Sequence, residues 1–333
     1  MPVSDNWEIA ITKFRSLGGV AENICQKVGK NGRGLFPIDS TLESKIFVPK
    51  SLLINRDHVC LRQGQVIIKD GLNYPEEVSK FFSFYQENFS WGNGGKESTE
   101  AFEKDLQAFP SEIKEFLKIS GIIDINKRHV EFSDDFIFKT YLSTRSFGLN
   151  GKFVLAPYIE LVNYSPKSLK LLRTEEGFKH PGIEISDKEI THHYSYMSSI
   201  ERWVTSGFSA EEPIVFSLPF KFNIRSSNLI LICKGKSLTK DQVEFSRVKN
   251  YLIVEGIPIG HNSLKEFPRN YLKYLFGILN IEFDLENKFQ EIITYNTKTR
   301  IDVIDKISNI NSEFVKSLIK TLSIELETLS GSS

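Results

Sequence analysis

The hydrophobic period of this chain changes three times, and the last change constrains the fold most. Phe314, Val315, Leu318, Ile319, Leu322, Leu326 and Leu329 recur at steps of three and four residues, which lays one apolar face along a helix. Such a stripe serves as core or as a helix interface. Upstream, Val78, Phe81, Phe82 and Tyr85 share helical spacing, as do Ile113, Phe116 and Leu117. Pro110-Ser111 marks a helix start between them. Around these helical stretches the pattern is that of short strands. Residues 7–54 alternate brief apolar runs with turn signals, Ile46–Pro49 reads as a strand ended by proline, and Cys60–Lys69 reads as a strand pair. Further strands are predicted at Phe153–Val162, Asp187–Tyr194, Ile214–Ile224, Leu229–Cys233 and Asn250–Val254, with helix from Pro268 to the end. Trp91-Gly92-Asn93-Gly94-Gly95 reads as a flexible break. The sum is an α+β protein of short strands with a helical section at about 70–145.

Composition narrows the function. Lys+Arg and Asp+Glu both number 42, so the chain lacks the basic excess that nucleic-acid binding draws on. Cys25, Cys60 and Cys233 are scattered and odd in number, which suits neither a disulfide framework nor a structural zinc site. They read as buried thiols in a reducing compartment. Met1–Leu17 has no basic segment followed by an apolar run, and no apolar stretch is long enough to span a bilayer. A cytoplasmic protein without membrane segments is expected. Adjacent His192 and His193 would face opposite sides of a strand, so they do not share a metal ion; Asp134-Asp135 reads as a solvated turn. No P-loop and no nucleophile-elbow motif occurs.

Four segments carry chemistry. Gly32-Arg33-Gly34-Leu35-Phe36 precedes the Ile46–Pro49 strand; it is either a plain hairpin turn or a loop whose glycines admit close backbone approach by a ligand. Thr144-Arg145-Ser146-Phe147 offers a guanidinium, whose fork suits a carboxylate, or a structural arginine at a helix end. Leu155 to Ser165 contains Pro157, Glu160, Asn163 and Tyr164. Lys188 to Ser195 contains Glu189 and Tyr194, followed by Ile200-Glu201-Arg202-Trp203 and Gly207-Phe208.

In this order the four segments resemble motifs of the SET methyltransferases, in particular the branch that includes the plant Rubisco large-subunit lysine methyltransferase. Family members read G-x-G-L-x-A, S-R-x-F, P-x-x-D-x-x-N-H-S, then G-E-E-I-x-x-x-Y-G and Y-G-F. The resemblance spans nearly the whole chain and implies a SET β-clip fold. It implies a SET-like domain at 1–235 with a helical insertion at about 70–145. An all-helical domain at 240–330 would hold a protein substrate or partner. It implies S-adenosylmethionine as cofactor and transfer of its methyl group to a protein nitrogen, with lysine the first acceptor. Tyr194 falls on the catalytic tyrosine; Gly32, Arg33, Gly34, Arg145, Glu160, Asn163, Tyr164 and Phe208 fall on cofactor-binding positions, and no metal is implied. Three positions depart from the pattern: Glu160 stands for Asp, Tyr164 for His and Ser195 for Gly. Those departures leave open a second reading, a catalytically silent SET-like scaffold that binds a protein partner.

Overall fold

The computed structural model describes residues 5–30, 32–127, 132–181, 188–194, 197–224, 229–234, 245–248, 251–278 and 284–331. These form two compact units, Met1–Lys104 with His129–Tyr194, and Asp105–Arg128 with Ser195–Ser333. The domain limits expected from sequence, 1–235 and 240–330, follow different lines: residues 105–128 and 195–235 fall within the second unit.

The first unit is built from short strands around an aromatic core. It opens with a helix, Asp5–Ser16, whose Trp7, Ala10, Ile11 and Phe14 are buried. Their spacing of three, one and three residues is helical, so the reading of residues 7–54 as short apolar runs with turns is corrected at its start. Trp7 packs edge-on against Phe89 and Tyr158, with ring centroids 5.1 and 5.4 Å apart. Ile24–Gly29 and Gly32–Pro37 form an antiparallel hairpin closed at Gly29 and Gly32. A four-stranded sheet runs in the order Val20–Glu22, Lys45–Pro49, Gly177–Lys179, Leu172–Arg173. A three-stranded sheet joins Ile54–Asn55, Lys152–Leu155 and Ser146–Leu149, and Val59–Arg62 pairs with Gln65–Ile68. The strand expected over Phe153–Val162 stops at Leu155 and gives way to a tight helical turn, Ile159–Leu161. Tyr158 enters that turn at φ +64°, a left-handed conformation uncommon for a non-glycine residue. It is held there by ring packing on Phe14, Trp7 and Tyr85 and by its N–H, which donates to Tyr85 Oη at 2.9 Å.

Helix Glu76–Phe89 buries Val78, Phe81, Phe82 and Tyr85 on one side, as their spacing requires. The segment after it is no flexible break. Trp91 is buried and its Nε1–H donates to Gly64 O at 3.0 Å, while Asn93 Nδ2 donates to Gln26 Oε1 at 3.2 Å. Gly94 sits at φ +82°, and a Cβ there would lie 2.1 Å from the Arg33 guanidinium. Gly94→Ala is expected to cost about 1–2 kcal/mol through the left-handed backbone alone, read as a fall in the urea unfolding midpoint. Helix Asp134–Arg145 follows, and its first turn contains the two aspartates expected in a solvated turn; Asp134 pairs with Lys96 at 2.8 Å.

In the second unit, strands Phe220–Ile224, Leu229–Lys234, Tyr251–Glu255 and Phe245–Val248 form one sheet in that order, its middle pair parallel. Ile214–Phe216 pairs with Pro258–His261. The region expected to be all-helical from 240 thus contains strands through His261 and is helical from Phe267, in Phe267–Ile278, Leu285–Ile307 and Glu313–Ser330. Its core joins Val215, Ile259, Leu272, Leu275, Phe289, Ile292 and Leu329. Helix Ser111–Ile119 begins at Pro110 as predicted and belongs to this unit, with Phe109 ringed against Phe314 and Lys306 over Phe116.

Among the described residues, two ion pairs are sealed inside the second unit. Arg202 Nε meets Glu212 Oε1 at 2.7 Å. Arg300 reaches Glu325 Oε2 through Nε and Nη2, each at 2.8 Å, with both side chains fully enclosed. Glu325 Oε1 accepts from Ile200 N–H at 2.8 Å, and Arg300 also donates to Asn296 and Phe216 carbonyls. Enclosed charges are tolerated only when satisfied in this way. No helix among the described residues is long and apolar enough to cross a membrane.

Candidate functional site

Within the first unit, the segments singled out from sequence converge, although more than a hundred residues separate the first from the last. Gly32 stands at φ +86° with open space around it, so its role is to close the hairpin turn. Gly34 differs: a Cβ there would fall 2.1 Å from Glu189 Oε1 and 2.6 Å from Asn163 Nδ2. The close approach this glycine permits is made by those two side chains. Asn163 Nδ2 donates to the Arg33 carbonyl at 2.9 Å and to Glu189 Oε1 at 2.5 Å. Asn163 therefore ties the hairpin to the segment carrying Glu189. Leu35 bridges Ile190, and Asn163–Tyr164 pairs in parallel with Thr191–His192.

Tyr194 is delivered by that pairing. It is half-buried, and its hydroxyl donates to the Val162 carbonyl at 2.8 Å. With its hydrogen committed, the phenolic oxygen presents lone pairs to its surroundings. Its ring packs against Tyr164 at 5.3 Å and His192 at 4.6 Å. Tyr164 is buried and also meets His193 at 5.6 Å. His192 and His193 are both enclosed, the first against Phe147 and Tyr194, the second against Tyr164. Ser195, where the sequence departs from glycine, lies outside the described residues.

Arg145 ends helix Asp134–Arg145 and is half-buried. One Nη1–H donates to the Glu160 carbonyl at 2.7 Å. The guanidinium lies 5.8 Å from the Tyr141 ring, and among the described residues no other hydrogen bond holds it. Burial pushes its pKa down, and Tyr141, Tyr194 and Glu160 more than offset this, so the net direction is upward. The result is a fixed cation whose remaining N–H groups are available to an anion.

Glu160 is enclosed, with 3% of its surface exposed. Its carboxyl faces the core: Gln86 Nε2 donates to Oε1 at 2.8 Å, and Oε2 has no hydrogen bond of good geometry among the described residues. Burial pushes its pKa up to about 7, against the opposing pull of Arg145 and nearby donors. Tyr141 Oη donates to Gln86 Oε1 at 2.9 Å and meets Ser90 Oγ at 2.5 Å. Gln86 and Tyr141 are ordinary helix residues in the sequence and Ser90 follows a helix end; a glutamine on the apolar face of Glu76–Phe89 is the available signal.

Phe208 belongs to the second unit. It follows helix Ser199–Ser206, which is opened by a Ser198–Glu201 capping box and closed by Gly207 at φ +77°. The glycine of that motif is accounted for as a left-handed helix cap.

No protein-family model matches the chain, and no curated protein matches it. Among solved structures, the chain is similar to the SET domain of LSMT bound to lysine and AdoHcy, at 11% identity and a TM-score of 0.47, over 99% of this chain and 90% of that one. It is also similar to Rubisco LSMT bound to AdoMet, at 12% identity and a TM-score of 0.46, over 98% and 90% of the two chains.

Proposed function

We propose that the chain has a SET-type fold and is a protein N-methyltransferase that uses S-adenosylmethionine and acts on a lysine side chain. The observation that carries this reading is the meeting of Gly34, Asn163, Glu189 and Tyr194 in one place, with Arg145 held to the nearby Glu160 carbonyl. Four sequence-distant motifs of one chemistry are thereby brought together. The cofactor supplies a methyl group on a sulfonium, ready for in-line displacement. The half-buried cation Arg145, with N–H groups to spare, suits the carboxylate of its amino-acid end. The Gly32-Arg33-Gly34 backbone and Asn163 would line the same end, and the main chain and ring of Tyr164 would take the adenine side.

The acceptor nitrogen must arrive without its proton. A free lysine titrates near ~10.4, and an apolar, aromatic surround lowers that value by disfavouring the charged form. Tyr194 then offers lone pairs rather than its hydrogen, because Val162 already accepts that hydrogen; this suits a group that positions the amine and methyl rather than one that donates a proton. The helical part from Phe267 onward is proposed to hold the protein substrate, and the cytoplasm is the compartment that the three scattered cysteines suit.

Calorimetric titration with S-adenosylhomocysteine tests the reading: saturable binding is expected, much weakened in Asn163→Ala. Transfer of labelled methyl to a lysate protein is expected to fall on the order of a hundredfold in Tyr194→Phe. Absence of cofactor binding by the wild type would overturn it. A second reading, a silent scaffold, is favoured by one observation: the space at Gly34 is taken by Asn163 and Glu189. Any enzyme-dependent methyl transfer decides against it.

A further inference from the structure

The buried carboxyl of Glu160 is not used by the proposed methyl transfer, yet its residue holds Arg145. The connection is direct: the Glu160 carbonyl accepts from Arg145 Nη1, and the Glu160 carboxyl sits on the Gln86–Tyr141 hydrogen-bond chain of the helices that flank it. Helix Glu76–Phe89 faces the carboxyl with Tyr85 and Gln86, Ser90 follows at its end, and helix Asp134–Arg145 faces it with Tyr141 and Arg145. Tyr158, on its own segment, binds the Tyr85 hydroxyl through its N–H. Burial drives the hydroxyls of Tyr85, Tyr141 and Tyr158 upward, away from neutrality, so they remain protonated. Arg145 remains charged throughout. Glu160 is therefore the group in this cluster able to exchange a proton near neutral pH, and Oε2, with no good hydrogen bond among the described residues, is where the proton would sit.

We propose that Glu160 is a proton-binding positioning residue for Arg145, taking up a proton from solvent when a ligand carboxylate docks on the guanidinium and releasing it when the ligand leaves. The inference rests on the cofactor reading above. An ionised Glu160 offsets the field of Arg145, whereas a protonated one leaves that field to the incoming anion. The two carboxylates thus compete for one cation, and binding of one favours neutralisation of the other. Glu160 would not touch the cofactor; it would set how strongly Arg145 attracts it.

The test is the pH dependence of S-adenosylhomocysteine affinity, measured by calorimetry from pH 6 to 8.5 on the full chain. Wild type is expected to bind about threefold to tenfold more weakly at the upper end, because a linked proton is lost on the way. Glu160→Gln, which mimics the protonated side chain, is expected to give a flat profile at the affinity of wild type at pH 6. Methylthioadenosine, which has no carboxylate, is expected to bind with no such slope. Titrating wild type in phosphate and in Tris at pH 7.5 reads proton uptake directly and needs no variant. A flat wild-type profile, an equal slope in Glu160→Gln or with methylthioadenosine, or zero proton uptake would overturn the proposal. Failure of S-adenosylhomocysteine to bind at any pH would instead remove the cofactor reading itself.

Discussion

Glu325→Ala is expected to destabilise the second unit by about 3–5 kcal/mol, the range for breaking a buried ion pair by removing one partner. The size follows from what is left behind. Arg300 loses the acceptor for two of its N–H groups and remains fully enclosed, and the Ile200 N–H loses its acceptor as well. Neither group can reach water, so each keeps its desolvation cost with nothing to offset it. Glu325→Gln, which retains an acceptor for Ile200 but not the charge, should fall between wild type and the alanine variant. Glu76→Ala removes a pair with Lys80 that is short, 2.6 Å, but lies on the surface with 72% and 78% of the two side chains exposed. It should leave the unfolding midpoint where it is. Urea unfolding followed by circular dichroism checks the series. Equal midpoints for the Glu325 and Glu76 variants would mean that the pair contributes nothing.

Arg145→Ala is expected to weaken S-adenosylhomocysteine binding about tenfold to a hundredfold, the worth of ~1.4–3 kcal/mol in hydrogen bonds to a charged group. Among the described residues the side chain makes one hydrogen bond, to the Glu160 carbonyl, and its other donors are uncommitted there. On the proposed reading, loss of the guanidinium removes one protein hydrogen bond and the donors offered to the cofactor carboxylate. Arg145→Lys keeps the charge but not the planar fork, and should recover only part of the loss. Calorimetry separates the two, and a variant that binds as wild type does would take Arg145 out of the site.

Much of the fold was legible because it rests on period and punctuation. The stripe from Phe314 to Leu329 is a helix face, with Val315, Leu318, Leu322 and Leu329 buried; Pro110 and Pro49 stand where a helix starts and a strand stops. Asn163 and Tyr194 were found as motif members, and both lie where the segments meet. What could not be read is polar pairing at long range. Glu325 looks like a solvent-facing residue of its helix until Arg300, twenty-five residues earlier in the chain, is placed inside with it. Gln86 and Glu160 meet across 74 residues, and nothing local to either announces the other. Glycines misled for a related reason. Trp91–Gly95 carries three of them, and composition alone cannot distinguish freedom from crowding. Here the backbone of Glu87 and Ser90 and the Arg33 side chain crowd all three.

Both packing units are discontinuous in sequence, and this sets an order on synthesis. Helix Ser111–Ile119 leaves the ribosome well before Lys306 and Phe314, which cover Phe116 and Phe109, are made. At roughly 5–20 residues per second that interval is on the order of tens of seconds. During it Phe109, Ile113 and Leu117, all buried in the finished protein, stand without their final cover. A nascent chain of this protein is thus a natural client for whatever shields apolar helices during translation, and a truncation before residue 306 would leave that debt permanently open.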